Sequence, residues 1–443
     1  MSAVSSPPSV SRGRRARVAA ASMFGTVMEW YDFLLFGLAA SIVFDRLFFP
    51  SFDPVTGTLL SLATFAVGFV ARPFGGILFG SIGDRYGRKP VLFWTMAIMG
   101  TATALIGVLP TYEAIGVLAP ILLVLLRLLQ GLGAGGELGG AVLMLAEYSD
   151  DRRRGLTASL AQAGAPLGNL LATGVLAVFA GVLPEDAFLA WGWRVPFLLG
   201  GVIVLVGLYI RMSIAESPQF AKVAASTEGI EPRPVRTLVR DYPKPLLLAL
   251  GARFGPDVVV YVFLTFVITY LVKVVGFERN EALLCVAVGS VAWLVGIPLA
   301  GHLSDRFGRK PLYVAGCLAT LVWAFAFFPL LNLGTIPLAS LAVAVGLFCH
   351  GLMFGPQASY LAELFPTPIR STGISVGYQL SGIYGGSLAP VISLALLDAF
   401  DSWVPIAIYM GVTIVITLIA LGLSPDRRGA SLDEVDAAVG ASR

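Results

Sequence analysis

Gly80–Pro90 reads GSIGDRYGRKP, and Gly301–Pro311 reads GHLSDRFGRKP. Gly, Asp, Arg, Gly, Arg, Lys and Pro keep their places, 7 of 11 positions. The copies start 221 residues apart in a chain of 443. Each is a charged knot between two long apolar runs. The order of charges and glycines is kept, not merely the composition, so chance likeness between two basic loops is a poor account. A hydrophobic chain that repeats a basic loop at half its length reads as two related membrane halves.

Composition agrees. The chain is 57% apolar and 13% charged, where soluble domains carry roughly 25% charged residues. A spanning helix needs roughly 20 apolar residues. Twelve stretches fit: 19–43, 57–79, 91–109, 116–147, 155–180 and 193–213, then 244–274, 281–301, 312–331, 335–364, 370–398 and 402–423. The expected fold is therefore an all-α membrane protein, its twelve transmembrane helices forming two pseudo-symmetric six-helix bundles, 19–213 and 244–423. A polar central loop, 214–243, joins them. The Ser/Pro/Arg-rich tail 1–18 reads as disordered, and the polar tail 424–443 as briefly helical. The first apolar run follows four arginines, as in a secretory signal, but it carries Glu29 and Asp32 and lacks a cleavage site, so it reads as an uncleaved helix. Cys285, Cys317 and Cys349 lie in apolar runs and suggest buried thiols. His302 and His350 are too scattered for a metal site. No metal, organic cofactor or nucleic-acid partner is expected.

Basic residues set the orientation. With both termini cytoplasmic, the inner segments hold 23 Lys/Arg and the outer ones 4, while Arg72, Arg127 and Arg253 fall inside spans. A multi-pass protein of the cell (inner or plasma) membrane follows. A second echo supports the duplication: Glu147 precedes Arg154 by seven residues, and Glu363 precedes Arg370 by seven. These acids end the fourth helix of each half, near the basic loops. Asp84, Arg85, Arg88, Glu147, Asp305, Arg306, Arg309 and Glu363 thus read as a cytoplasmic gate of ion pairs that break when the protein opens inward. Plain anchoring at the membrane surface is the competing reading of the loop arginines.

The repeated G-x-x-x-D-R-x-G-R-K resembles the loop motif of the major facilitator superfamily. Arg127-Leu-Leu-Gln130-Gly131-Leu-Gly133 resembles that superfamily's fourth-helix motif. Glu29-Trp30-Tyr31-Asp32-Phe33, Arg72-Pro73-Phe74-Gly75-Gly76, Gly135-Gly136-Glu137 and Trp191-Gly192-Trp193-Arg194-Val195-Pro196-Phe197 narrow the likeness to the metabolite:proton symporter family. Its members include permeases for α-ketoglutarate, citrate, shikimate, and proline or betaine. The resemblance spans the whole chain and implies a major facilitator fold with the proton as coupling ion. Gly164-Ala165-Pro166-Leu167-Gly168 loosely resembles a motif of drug:proton antiporters, which leaves export open.

A charge in hydrocarbon costs from about 3 kcal/mol upward, so intramembrane ionisable residues face a cavity or a partner. Glu29 and Asp32 share a helix face at a depth of roughly 15–20 Å, and Arg127 lies roughly 16 Å from the opposite surface. The depths match. An Asp32–Arg127 pair is the expected proton site, with Glu29 as the alternative acid; superfamily symporters often couple such a pair. Close carboxylates raise each other's proton affinity. Glu137 reads as a cavity carboxylate or a gate residue. Gly131, Gly135 and Gly139 recur every four residues and read as helix packing. Arg72 reads as a partner for a neighbouring acid or a support for the loop motif.

Arg253, Asp257 and Tyr261 form one stripe on the seventh helix. An arginine grips a carboxylate bidentately, which argues for an anionic or zwitterionic substrate; a closed Arg253–Asp257 pair is the alternative. Trp30, Tyr31, Gln130, Gln162, Tyr378 and Gln379 are the further candidates for the cavity wall; Asn169 shares the helix face of Gln162, and His350 and Gln357 share a face of the tenth helix. The expected function is proton-driven uptake of a small organic acid or zwitterion by alternating access, performed by a monomer in the lipid bilayer. Proton-coupled export is the alternative, and a non-transporting sensor a remote third. No nucleophile–base pair, metal cluster or phosphate-binding loop suggests an enzyme.

Overall fold

The computed structural model describes residues 12–52, 54–148, 153–212, 234–425, 427 and 432–440. The first half holds α1 (Arg12–Ile42), α2 (Pro54–Tyr86), α3 (Arg88–Val108), α4 (Leu118–Tyr148), α5 (Arg154–Val182) and α6 (Arg194–Met212). The second holds α7 (Pro243–Val275), α8 (Arg279–Phe307), α9 (Arg309–Leu331), α10 (Ile336–Ala362), α11 (Thr367–Phe400) and α12 (Val404–Leu423). Eleven described helices are long and apolar enough to cross a membrane. The twelfth is α1, whose Glu29 and Asp32 lower its hydropathy.

Three boundaries differ from expectation. Helix α1 already begins at Arg12, inside the tail read as disordered. Pro234–Asp241, in the expected central loop, is a helix; 213–233 lie outside the described residues. Both eleven-residue motif loops contract to one residue. Helix α2 runs on to Tyr86, and α3 starts at Arg88; Gly87 between them has φ 104 and ψ 170. Helix α8 runs on to Phe307, α9 starts at Arg309, and Gly308 has φ 105 and ψ 155. Only glycine adopts this region freely. The apolar runs set the expected ends, but a hairpin between two helices needs only one residue that can reverse the chain.

Within the first half, backbones approach closely. A Cβ on Gly131 would meet the Gly68 carbonyl, and one on Gly135 the Arg72 carbonyl, so these α4 glycines let α4 nest on α2. Between the halves, α2 packs on α11, and α5 packs on α8 and α10. The pairs α2–α11 and α5–α8 exchange under the repeat, so the interface has the pseudo-two-fold symmetry of the sequence. Helix α11 carries a π-helical turn, Ile383–Ser387, set against Asp257 through Gly385. Helix α7 has π-helical turns at Val262–Phe266 and Leu271–Val275. Such turns shift the register of a helix face and gather at functional sites.

Gly87→Ala and Gly308→Ala should each cost about 1–3 kcal/mol through the forced backbone angle. Thermal unfolding of the purified variants checks this; unchanged midpoints would contradict it.

Candidate functional site

A small cavity of about 40 Å³ lies between the halves, room for about three waters and too small for a metabolite. On one side the cavity meets Glu29 and Trp30 of α1 and Arg72 of α2. On the other it meets Arg253, Asp257 and Tyr261 of α7 and Tyr378 and Gln379 of α11. Trp293 of α8 and His350 and Phe354 of α10 complete it. Trp30 meets Trp293 edge to face, centroids 5.7 Å apart.

Arg253 is held on every side. Its Nε donates to Ser381 Oγ (2.7 Å), Nη1 to Gln357 Oε1 (2.6 Å) and Nη2 to Asp257 Oδ1 (2.7 Å). Its guanidinium also lies 3.7 Å from the Tyr378 ring centroid. The closed Arg253–Asp257 pair forms, and Asp257 Oδ2 has no hydrogen-bond partner among the described residues. Trp293 Nε1 and both His350 ring nitrogens also lack one, although both side chains are buried at the cavity. Polar atoms left this way in a dry wall cost about 1–3 kcal/mol each, so they suit water or a bound solute.

Arg72 pairs with Glu29, the neighbouring-acid reading of Arg72. Asp32 does not pair with Arg127. A chain of hydrogen bonds links them instead. Arg127 Nη1 donates to Gln130 Oε1 (3.2 Å), Gln130 Nε2 to Thr103 Oγ1 (2.7 Å), and Thr103 Oγ1 to Asp32 Oδ2 (2.8 Å). The expected pair was matched in depth, but Gln130 and Thr103 fill the lateral gap. Three rings, Phe33, Phe36 and Phe65, hold the Arg127 guanidinium with centroids at 4.9, 4.3 and 5.0 Å, within cation–π range. Thr103 also has the Met99 carbonyl in reach at 2.9 Å. Ionised Asp32 accepts the Thr103 proton. Protonated Asp32 can donate to Thr103, which then turns its own proton to Met99. Both states of the acid keep a partner.

Tyr31 leaves the expected cavity wall: it is fully buried and its hydroxyl donates to the Pro196 carbonyl at 2.7 Å. Gln130 leaves it too, because it lines the small pocket beside Asp32 and Arg127. Gln162 stands behind the wall. It donates to the Phe354 carbonyl and accepts from the Tyr378 hydroxyl at 2.9 Å. Gln379 both lines the cavity and donates across the halves to the Gly135 carbonyl at 2.9 Å. The side chain of Glu137 lies outside the described residues. Trp293 and Phe354 were not singled out from sequence; a tryptophan well inside a span, away from the interfacial belt, was the available signal.

At the end carrying the repeated motif, the two aspartates do the same job. Asp84 accepts from the backbone N–H of Ser371 (3.0 Å) and Thr372 (2.8 Å), at the start of the Arg370–Gly382 segment of α11. Asp305 accepts from the N–H of Gly155 (2.8 Å) and Leu156 (2.9 Å), at the start of α5. Each carboxylate thus caps a helix of the other half, where free N–H groups and the helix dipole favour an anion. Arg309 pairs with Asp305 at 2.6 Å and reaches Glu363 at 3.4 Å, and Glu363 takes Arg154 of the other half at 3.0 Å. Burial raises the proton affinity of Glu363, and Arg309 and Arg154 oppose this. Arg85 and Arg306 are exposed at this end, Arg306 beside the Phe307 ring. The side chains of Arg88 and Glu147 lie outside the described residues. Arg370, expected to echo Arg154, pairs with Asp436 of the tail helix Leu432–Gly440 at 2.6 Å.

Comparison with known proteins places this architecture. The sequence profile of the Major Facilitator Superfamily matches residues 18–386. The inner membrane metabolite transport protein YhjE of Escherichia coli K12 is 40% identical, over 94% of this chain and 96% of that protein. The shikimate transporter of the same organism is 38% identical, over 91% and 92%. Its proline/betaine transporter is 34% identical, over 92% and 83%. Among solved structures, the proton:xylose symporter XylE bound to 6-bromo-6-deoxy-D-glucose superposes with a TM-score of 0.81 at 19% identity, covering 96% of this chain and 99% of that one.

Replacing Asp84 or Asp305 by Ala removes two hydrogen bonds to a charged group, each worth about 1.5–3 kcal/mol. The lock end should then open at least tenfold more often. Maleimide labelling of a cysteine placed at buried Ser159 measures it; equal labelling rates with and without the change would refute the lock.

Proposed function

Since the chain belongs to the major facilitator superfamily of membrane transporters, we propose that it is a symporter that imports a small organic acid or zwitterion with protons by alternating access. The observation that carries this reading is Asp32, a buried carboxylate without an ion-pair partner among the described residues, whose charged and neutral states both find hydrogen bonds. A carboxylate that can change its charge in place, deep in a membrane protein, is suited to carrying a proton. The proton is then the coupling ion, and no other cofactor takes part.

The substrate site is the central cavity. Its arginines suit a carboxylate, and two relatives are transporters of shikimate and of proline or betaine. The lock at the motif end is the cytoplasmic gate, with both termini on that side, as the 23 to 4 distribution of basic residues favours. In the described conformation the contacts of that gate are made. A monomer contains all of this machinery.

Proteoliposomes with an inside-alkaline gradient test the proposal. Labelled shikimate, proline and glycine betaine are the first probes, because relatives carry them. Gradient-driven accumulation is expected for at least one, at least tenfold above the no-gradient level. Asp32→Asn should abolish that accumulation and leave counterflow exchange intact. Accumulation that survives in Asp32→Asn removes Asp32 as the proton carrier. Extrusion in exchange for protons would establish the antiport alternative.

A further inference from the structure

Two residues line both the central cavity and the small pocket around Asp32 and Arg127: Glu29 and Arg72. They form the wall between the place for a substrate and the place for a proton. Their mutual pairing is incomplete. Arg72 Nη2 meets Glu29 Oε1, while Glu29 Oε2 and Arg72 Nε are buried without a hydrogen-bond partner among the described residues. Arg253 differs, because three of its nitrogens are engaged by Ser381, Gln357 and Asp257. Of the two cavity arginines, Arg72 is the one with capacity to spare.

Charge balance gives this arrangement a consequence. Arg72, Arg127 and Arg253 stand against Glu29, Asp32 and Asp257, so these six groups sum to zero when all are ionised. A substrate carboxylate entering the cavity adds one negative charge to a water-poor centre. Uncompensated charge there is expensive, and one proton on a carboxylate restores the balance. The acid that takes it is the one whose partner the substrate draws away.

We propose that Arg72 binds the carboxylate of the substrate and that Glu29 takes up one proton as Arg72 leaves it. The proton comes from the medium by way of the Asp32 pocket. No covalent bond changes; one ion pair is exchanged for another, and one carboxylate becomes a carboxylic acid. The groups facing Glu29 are Asp32 on its own helix, Arg72 on α2 and Arg127 on α4. Across the cavity stand Arg253, Asp257 and Tyr261 on α7, His350 on α10 and Tyr378 on α11. Of the two other carboxylates, Asp257 stays with Arg253 and Asp32 stays with Thr103, so neither loses its partner when Arg72 moves. The inference rests on the reading of the substrate as a carboxylate.

The test uses the purified full-length protein, acetate as the probe and acetamide as its uncharged isostere. Binding is read from the tryptophan fluorescence, since Trp30 and Trp293 both line the cavity. In the wild type, acetate affinity should weaken about tenfold per pH unit on the alkaline side, the slope for one proton taken up with each anion. Acetamide should show no such slope. Glu29→Gln should still bind acetate but with an affinity independent of pH. Arg72→Gln should bind acetate at least tenfold more weakly, and Arg72→Lys, which keeps the charge, should recover part of the loss and show that the fold survives. Asp32→Asn should keep the slope at equilibrium while losing gradient-driven accumulation, because Asp32 passes the proton on and Glu29 holds it. A slope that persists in Glu29→Gln but disappears in Asp32→Asn overturns the role of Glu29 and leaves proton symport through Asp32 standing. Tight acetate binding with no slope in the wild type overturns both. Absence of acetate binding in the wild type overturns Arg72 as a carboxylate ligand and the carboxylate reading with it.

Discussion

Three arginines and three carboxylates meet at the centre of a bundle built to sit in hydrocarbon: Arg72, Arg127 and Arg253 with Glu29, Asp32 and Asp257. Each alone costs several kcal/mol there, so none can face lipid. That constraint fixes how α1, α2, α4 and α7 are rotated about their own axes. It also explains the company these groups keep. Arg127 rests among three phenylalanine rings, and Arg253 lies on Tyr378. A guanidinium that cannot be hydrated is held by ring faces as well as by oxygen atoms.

The two kinds of contact in the molecule divide its labour. Inside the first half, α2 and α4 touch backbone to backbone through glycines, a broad van der Waals contact that suits a rigid body. Between the halves, the described contacts include many polar ones: Asp84 and Asp305 on helix starts, Arg154 on Glu363, Asn169 on Ser290. A carboxylate on a helix terminus loses its partner cleanly when the helices separate, and water can replace it at the membrane surface. Packing of that kind holds a closed state without welding it. The repeated sequence supplies one such cap from each half, so the contact is doubled by the same duplication that built the fold.

The sequence made the architecture legible because the repeat preserved order. Asp, Arg and Gly at fixed places forecast a pair of equivalent turns, and Gly87 and Gly308 share nearly the same φ. The length of those turns was not legible: hydropathy marks where a span leaves the apolar layer, not where its helix stops. For the site, the residue types were found and several partners were not. Depth along a helix is one coordinate, and pairing needs three. Asp32 and Arg127 agreed in depth, yet Gln130 and Thr103 stand between them. Glu29 found Arg72 instead, on a helix whose rotation no single-sequence pattern reveals. Tyr31 neighbours Trp30 in sequence, but consecutive residues on a helix lie about 100° apart, so one faces the cavity and the other meets Pro196.

The duplicated halves contribute different groups to the cavity. The second half contributes Arg253, tied to Ser381, Gln357 and Asp257 and stacked on Tyr378, a group that cannot move without breaking several contacts at once. The first half contributes Arg72, paired with one carboxylate and lying over the Phe33 and Phe69 rings, and Asp32, held by a hydroxyl whose proton has two acceptors in reach. One wall of the cavity is therefore fixed and the other can rearrange. A solute that engages both must pull on the movable wall, and the groups it disturbs there are those next to the pocket around Asp32 and Arg127. Competition of a substrate and a proton for one partner is one way to couple them. The asymmetry between Arg253 and Arg72 supplies one shared partner without any further moving part.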